Sequence, residues 1–227
     1  MNLIDACIDQ KVKKVVALST DKACNPVNLY GATKLASDKV FVAGNAFSRE
    51  HNTKFAVVRY GNVMGSRGSV IPFFHSLKDT GEIPITDTRM TRFMITLEQG
   101  VELVWTAFED AMGGEIYVKK IPSMNMVDLA KAVAPAAKHK LIGIRPGEKL
   151  HEQMIGTEDS FHTFEYDGYY KILPSIYNCS NETKRINGGK KCPEGFSYAS
   201  DTNTEWMSVE ALQKWMESEF ASALTSK

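Results

Sequence analysis

A short apolar segment, Lys14–Leu18, runs directly into the two hydroxyl residues Ser19 and Thr20, and this junction constrains the fold most strongly. Its apolar residues follow one another without alternation, which predicts a fully buried strand of the kind found in parallel sheets. Asn25-Pro26 then interrupts the chain, and a helix is predicted over about residues 29–50. This order indicates an α/β fold with Ser19 and Thr20 at the carboxyl edge of the sheet, where such folds bind ligands.

Tyr30 and Lys34 lie four residues apart in this helix and therefore on one face of it. A tyrosine is a poor base at neutral pH, but a neighbouring ammonium group favours the phenolate and can also bind a cofactor ribose. With Ser19 or Thr20 binding a substrate hydroxyl, the pattern predicts an alcohol oxidation in which Tyr30 takes the proton and a nicotinamide takes the hydride. Because Tyr-x-x-x-Lys also occurs on unrelated helices, the prediction depends on the strand that precedes it.

The segment Ser19–Lys34 resembles the extended short-chain dehydrogenase/reductases. Within them it is most similar to the inverting UDP-N-acetylglucosamine 4,6-dehydratases of polysaccharide and pseudaminic acid biosynthesis. The resemblance covers nearly the whole chain through four later motifs, which are Arg59–Pro72, Met90–Phe93, Arg145–Glu152 and Phe196–Asn203. It implies an α/β fold that combines the C-terminal part of a Rossmann-like parallel sheet with a small α+β substrate lobe.

The acid and the amine that follow the hydroxyl pair are the distinctive part of the resemblance. It implies that Asp21 protonates the C6 hydroxyl as it leaves a hexose and that Lys22 handles the C5 proton, with Thr20, Tyr30 and Lys34 completing the catalytic set. A lysine acts as a base only where burial or nearby positive charge disfavours its charged form. The alternative is that Asp21 and Lys22 only stabilise the turn after the strand.

The resemblance also assigns the ligand-binding residues. NADP would contact Ser19, Tyr30, Lys34 and Tyr60. The UDP-sugar would contact Asn62, Arg67, Val70, Arg92, Arg145 and Glu148. Planar guanidinium groups suit a diphosphate, so Arg92 and Arg145 are assigned to the phosphates and Glu148 to the uridine ribose. For Arg67, a flexible Gly65–Gly68 turn is an equally good interpretation.

No glycine-rich phosphate-binding turn precedes Ser19, although dinucleotide-binding folds normally open with one. We therefore expect the chain to begin partway through its cofactor domain, without the elements that hold the adenine side of NADP. Residues 1–72 are predicted to be the rear half of that domain. Residues 73–227 are predicted to be mostly the substrate lobe, with some elements returning to the first. Weak NADP binding and poor turnover by the isolated chain are expected.

Composition excludes several other classes. The formal net charge is zero, with 27 residues of each sign, which argues against nucleic acid or an anionic membrane as the main partner. No apolar run reaches the ~18 residues that span a bilayer, no signal peptide opens the chain, and the cysteines lack metal-ligand spacing. We expect a cytoplasmic protein without a metal, and the resemblance implies a homo-oligomer.

Local patterns predict several further elements. Thr96–Gln99 fits a capping box, and the helix after it is expected to bury Val101, Val104, Trp105 and Phe108 in the core. A second helix is predicted to start at Ser123 as its cap and run to about residue 137. A third, short helix is predicted over Lys149–Ile155.

Two other functions stay open at this point. One is a nucleotide-sugar 4-epimerase or simple dehydrogenase of the same extended family, for which Asp21 and Lys22 would be dispensable. The other is a non-catalytic fragment that binds a UDP-sugar. The residues themselves do not fix the sugar, whose identity comes only from the resemblance.

Overall fold

The structure, a computed structural model, describes residues 1–48, 51–66, 68–175 and 182–225. Its helices are α1 (Asn2–Asp9), α2 (Leu29–Phe47), α3 (Val70–Leu77), α4 (Leu97–Asp110), α5 (Met126–Val133), α6 (Thr183–Ile186) and α7 (Val209–Thr225). Short 3₁₀ turns cover Asp21–Ala23, Lys78–Thr80 and Thr157–His162. The strands are β1 (Lys14–Thr20), β2 (Lys54–Tyr60), β3 (Asn62–Val63), β4 (Glu82–Ile85), β5 (Thr91–Ile95), β6 (Ile116–Lys119), β7 (Ser123–Asn125), β8 (Lys138–Leu141), β9 (Gln153–Ile155), β10 (Thr163–Glu165), β11 (Tyr169–Ile172), β12 (Lys190–Lys191) and β13 (Tyr198–Ala199).

The chain divides into two compact units. The first contains Met1–Gly61, Thr96–Ile121 and Gln153–Ala199. The second contains Asn62–Ile95, Pro122–Glu152 and the described part of Ser200–Lys227. The assignment of cofactor binding to residues 1–72 and of substrate binding to residues 73–227 stays a prediction.

The first unit is built on a six-stranded sheet in the order β1-β2-β6-β11-β10-β12. Strands β1, β2 and β6 are parallel, and the other three continue the sheet antiparallel. Side chains alternate along β2, so Phe55 packs towards Phe41 of α2 while Ala56 and Val58 pack with Leu103 of α4. Helices therefore cover both faces of the parallel strands, and the predicted α/β fold class is confirmed.

The second unit contains a three-stranded sheet, β3-β5-β7, and a parallel pair, β4-β8. Helices α3, α5 and α7 supply most of its apolar core, in which Phe74, Leu129 and Leu212 are buried. This core is rich in methionine, whose unbranched side chain fills irregular gaps.

Two predictions about burial are wrong. Strand β1 is only partly buried, and Leu18 is 52% exposed, because β1 is the end strand of the sheet in the described part of the chain. In α4 the buried residues are Gly100, Leu103 and Ala107, and the predicted Val104 is partly buried against the same core, whereas Val101 is exposed and Trp105 is 63% exposed. The apolar residues do recur at helical spacing, but α4 packs against the sheet with the neighbouring face, which carries Leu103 and Ala107.

Two predicted helix boundaries are also wrong. Ser123 begins strand β7, and α5 starts three residues later, where the Asn125 side chain accepts a hydrogen bond from the Val127 N–H at 2.7 Å. Lys149–Ile155 is not a helix, since its last three residues form β9 against β13. In both segments strand pairing overrides the local helix signal.

Candidate active site

The turn after β1 joins a hydroxyl, a carboxyl and an amine. Thr20 Oγ1 donates a hydrogen bond to Asp21 Oδ1 at 2.8 Å and accepts one from the Lys22 backbone N–H at 3.3 Å. Lys22 Nζ lies 3.0 Å from the same Asp21 oxygen. The three groups are therefore in direct contact within one turn.

Burial divides these groups. The Asp21 side chain is 0% exposed, whereas that of Lys22 is 33% exposed. Within the described residues, Asp21 Oδ2 is buried and has no hydrogen-bond partner. An unpaired buried oxygen costs folding free energy, as is common at sites where chemistry rather than stability sets the arrangement. Thr20 and Lys22, which contact the buried Asp21 carboxyl group, keep some exposed surface and can connect it to a ligand.

Helix α2 carries the phenol and the second amine. It begins where Asn28 Oδ1 accepts a hydrogen bond from the Gly31 N–H at 2.8 Å, which satisfies one of the free donors of the first turn. Tyr30 lies in that turn and is 55% exposed. One turn later, Lys34 Nζ donates to the Leu18 carbonyl at 2.7 Å. The ammonium group is thereby held at the carboxyl end of β1, on the helix face that carries Tyr30.

Gly31 lets α2 approach the acid–amine turn closely. A Cβ atom at this position would lie 2.4 Å from the Lys22 carbonyl oxygen and 2.9 Å from Pro26 Cβ. Both distances are shorter than any normal contact, and the first involves backbone. The glycine between Tyr30 and Lys34 is therefore required for the packing that brings the helix start against Lys22.

Tyr60 lies at the end of β2, in register with Thr20 at the end of β1. Burial raises the pKa of Tyr60, and the nearby charge of an ionised Tyr30 raises it further. The two phenols are thus close enough to interact electrostatically. Tyr60 stays protonated at neutral pH beside the more exposed Tyr30.

Ser19 points to the other face of the strand. Its hydroxyl donates to Asp38 Oδ2 at 2.8 Å, and Arg59 Nη2 donates to the same oxygen at 3.1 Å. All three residues are buried. Of the two predicted hydroxyl groups, Thr20 is therefore the one beside Asp21, whereas that of Ser19 is engaged inside the protein. Asp38 is absent from the sequence analysis, although its four-residue spacing from Lys34 on the Tyr30 face could have indicated it.

The second unit contains a cavity of about 350 Å³. Five of the six predicted UDP contacts line it, which are Asn62, Val70, Arg92, Arg145 and Glu148. The sixth, Arg67, lies outside the described residues. Phe73, Pro84 and Thr86 also line the cavity, so that it offers apolar surface beside the two arginines. Its occupation by UDP stays a prediction.

The two arginines of this cavity differ in freedom. Arg92 is buried, and its guanidinium group donates to the carbonyl oxygens of Thr91 at 2.7 Å, Lys149 at 3.0 Å and Leu150 at 3.1 Å. Arg145 is 62% exposed, and its Nε atom lies 3.8 Å from Glu148 Oε1. Arg92 is bonded to the backbone of Lys149 and Leu150, whereas the exposed Arg145 guanidinium group can donate hydrogen bonds to a phosphate.

The described residues contain neither a cluster of metal ligands nor a membrane-spanning helix. No group of three or more histidine, cysteine, aspartate or glutamate side chains there could hold a metal ion. Over the same ranges, no helix is long and apolar enough to cross a membrane.

Comparisons with known proteins agree with these motifs. The sequence matches the family described as polysaccharide biosynthesis protein over residues 1–174. An inverting UDP-N-acetylglucosamine 4,6-dehydratase of Campylobacter jejuni subsp. jejuni serotype O:23/36 (strain 81-176) is 58% identical over 218 residues, which are 93% of this chain and 65% of that enzyme. A UDP-glucose 4-epimerase of Rickettsia typhi is 42% identical over 94% of this chain and 64% of the epimerase.

A solved structure extends the comparison to the fold. Pen from Bacillus thuringiensis matches with a TM-score of 0.83 and 35% sequence identity, covering 96% of this chain and 65% of that chain. The present chain thus spans just under two thirds of the length of the curated relatives that it matches.

Proposed function

This chain belongs to the polysaccharide biosynthesis protein family, and we propose that it acts as an inverting UDP-N-acetylglucosamine 4,6-dehydratase. The observation that carries the proposal is the contact of Thr20, Asp21 and Lys22 in one turn against the start of the helix that bears Tyr30. Oxidation alone needs the phenol and the amine of α2. An additional acid and base beside them suit a reaction that also removes water. The similarity to the Campylobacter jejuni dehydratase supports the same reaction.

Tyr30 and Lys34 would carry out the first step. Tyr30 takes the proton of the C4 hydroxyl, and Lys34 stabilises the phenolate. A bound NADP⁺ would supply the hydride acceptor for C4 and the hydride donor for C6. The exposed Tyr30 phenol and the Lys34 ammonium, held at the carboxyl end of β1, fit the nicotinamide end of such a cofactor.

The acid–amine turn would carry out the elimination. A ketone at C4 acidifies the C5 proton, which Lys22 would take when the proton of the 3.0 Å Lys22–Asp21 pair lies on Asp21 and the amine is neutral. The C6 hydroxyl leaves as water with a proton from Asp21, and this proton passes through Thr20 Oγ1 because Asp21 is sealed from solvent. A C5–C6 double bond remains. Return of the hydride to C6 and addition of a water-derived proton to C5 from the opposite face would then give the inverted 4-keto-6-deoxy sugar.

The cavity of the second unit is proposed to take the UDP part. Arg145 would bind the diphosphate with its exposed donors, and Glu148 would accept a hydrogen bond from the uridine ribose. Arg92 would keep the Lys149–Leu150 loop in place beside them. The choice of NADP, the place in pseudaminic acid synthesis, the cytoplasmic location and the homo-oligomer belong to the same proposal and derive from the family resemblance.

The test is incubation with UDP-N-acetylglucosamine and NADP⁺ in D₂O, followed by mass spectrometry and NMR. We expect slow formation of a product that has lost one water and carries deuterium at C5. Asp21→Asn and Lys22→Ala should abolish it, whereas Lys140→Ala, in an exposed ion pair on β8, should not. Product formation at the wild-type rate by both Asp21→Asn and Lys22→Ala would refute the roles assigned to these two residues.

A 4-epimerase is the second candidate, favoured by the 42% identity to the Rickettsia typhi enzyme. An epimerase gives a product of unchanged mass and does not need Asp21 or Lys22. Calorimetry separates the remaining alternative, a non-catalytic UDP-sugar-binding protein, because such a protein would bind UDP-N-acetylglucosamine but not NADP.

A further inference from the structure

Asp38 is a buried carboxylate that none of the proposed steps uses. It is 2% exposed and accepts hydrogen bonds at one oxygen from Ser19 of β1 and from Arg59 of β2. Ser19 and Arg59 are partners in the register of the two strands. A single side chain of α2 therefore connects the helix to both parallel strands at their carboxyl ends.

Arg59 extends this connection beyond the two strands. Its Nη1 atom donates to the Met154 carbonyl of β9 at 2.7 Å and lies 3.8 Å from Asp159 Oδ2. Asp38 and Arg59 are both almost completely shielded from water. A buried ion pair of this kind contributes little net stability, but its directional bonds favour one arrangement of the elements that carry it.

The candidate catalytic groups lie one step further along the same elements. The next pair in the strand register is Thr20 and Tyr60. On the helix, Tyr30, Lys34 and Asp38 follow each other at four-residue spacing and share one face. Lys34 bonds Leu18, the residue before Ser19, so two residues of this face are bonded to consecutive residues of β1.

We propose that Asp38 is a positioning residue which, through Ser19 and Arg59, fixes the first turn of α2 over the ends of β1 and β2 and so sets the distance of Tyr30 from Thr20 and Tyr60. The importance of that distance rests on the proposed function. The claim that Asp38 sets this distance does not rest on the proposed function, and it can be tested without substrate.

The measurement uses the electrostatic interaction between the two phenols. In protein labelled with 3-fluorotyrosine, which titrates at lower pH than tyrosine, ¹⁹F NMR follows the ionisation of Tyr60. We expect Tyr30→Phe to lower the pKa of Tyr60 in the wild-type background, because the charge of Tyr30 raises it. In the Asp38→Asn background the same substitution should have roughly half that effect or less, because the two rings are no longer held together.

Asp110→Asn is the matched control. Asp110 pairs with the buried Lys171 at 2.7 Å in the same unit, on α4 and β11 rather than on α2. We expect this variant to lose thermal stability as Asp38→Asn does, yet to keep the full effect of Tyr30→Phe on Tyr60. A general loss of stability would weaken the interaction in both variants.

Undiminished interaction between the phenols in folded Asp38→Asn protein would overturn the proposal. If that variant does not fold, Arg59→Lys keeps the charge, loses the forked donor geometry and is expected to weaken the interaction in the same direction; full retention there overturns the proposal equally. Absence of dehydration by the wild-type protein would instead refute the proposed function and leave this measurement unaffected.

Discussion

Replacing Gly31 with alanine should push α2 away from the acid–amine turn. The new Cβ would lie 2.4 Å from the Lys22 carbonyl oxygen, whereas a carbon and a carbonyl oxygen normally approach to about 3.3 Å. The helix start or the turn must therefore move by about 0.9 Å. Because the contact is with backbone, no side-chain rotation can relieve it.

The cost follows from two opposing terms. Overpacking of this kind costs about 1–3 kcal/mol, and replacing a helical glycine with alanine returns about 0.5–1 kcal/mol. The net loss of about 0–2.5 kcal/mol corresponds to a fall in Tm of up to about 10 °C for a chain of this size. A displacement of about 1 Å between reacting groups lowers turnover by about 100-fold, so activity should suffer more than stability.

Gly100→Ala in α4 is the matched control, because a Cβ there meets nothing within 4 Å. This variant should keep its activity and gain about 1–4 °C in Tm. Thermal unfolding and the D₂O dehydration assay measure both variants. Wild-type Tm and wild-type turnover in Gly31→Ala would refute the reasoning, since the close contact would then have no consequence.

Three further predictions concern other parts of the chain. Arg145→Ala should weaken UDP binding by about 10–100-fold in calorimetry at unchanged Tm, whereas Arg92→Met should lower the Tm, because only Arg92 is bonded to three carbonyls. Lys171→Met should lower the free energy of unfolding by about 3–5 kcal/mol in urea melts, because it leaves Asp110 without its buried ion partner. Burial alone would raise the pKa of Asp110, but the hydrogen bond from Lys171 helps to lower it overall. Wild-type stability should therefore fall as the pH drops from about 3.9, the pKa of an aspartate in the unfolded chain, towards the lower pKa of folded Asp110. This fall should be smaller in Lys171→Met. Thr96→Ala should cost about 1 kcal/mol in the same melts by removing the capping box of α4, and an unchanged transition would contradict that.

Features that depend on neighbouring residues were predictable from the sequence. The start of α2 follows from the Asn25-Pro26 break and from Asn28, whose side chain caps the first turn. The capping box at Thr96 is likewise confirmed, with both of its hydrogen bonds present. Strand β2 is apolar on both faces, and helices cover both. In each case the cause lies within a few residues of its effect.

Features that depend on strands distant in sequence could not be predicted from the sequence. An apolar run such as Lys14–Leu18 specifies a strand but not its position in the strand order of the sheet. Leu18 is exposed because β1 is the end strand in the described part of the chain. The spacing in α4 specifies an apolar stripe, yet the sheet selects Leu103 and Ala107 instead of Trp105. Both outcomes depend on pairing across the chain, which periodicity does not contain.

The same limit applies to the candidate site. The motif predicted that Tyr30, Lys34 and the acid–amine turn lie close together, because its parts are near in sequence. It could not distinguish Ser19 from Thr20, since that depends on which face of β1 meets α2. Nor could it indicate that Asp21 is sealed from solvent, because burial depends on how the fold packs around the turn.

Strand β1 has one further consequence for work with this protein. Within the described residues it pairs with β2 alone, so its outer N–H and C=O groups face away from the sheet along seven residues. Such an exposed sheet edge can pair with an extended chain of another molecule. Samples for titration and calorimetry should therefore be compared at several protein concentrations, because self-association at this edge would bury the strand that leads into Thr20.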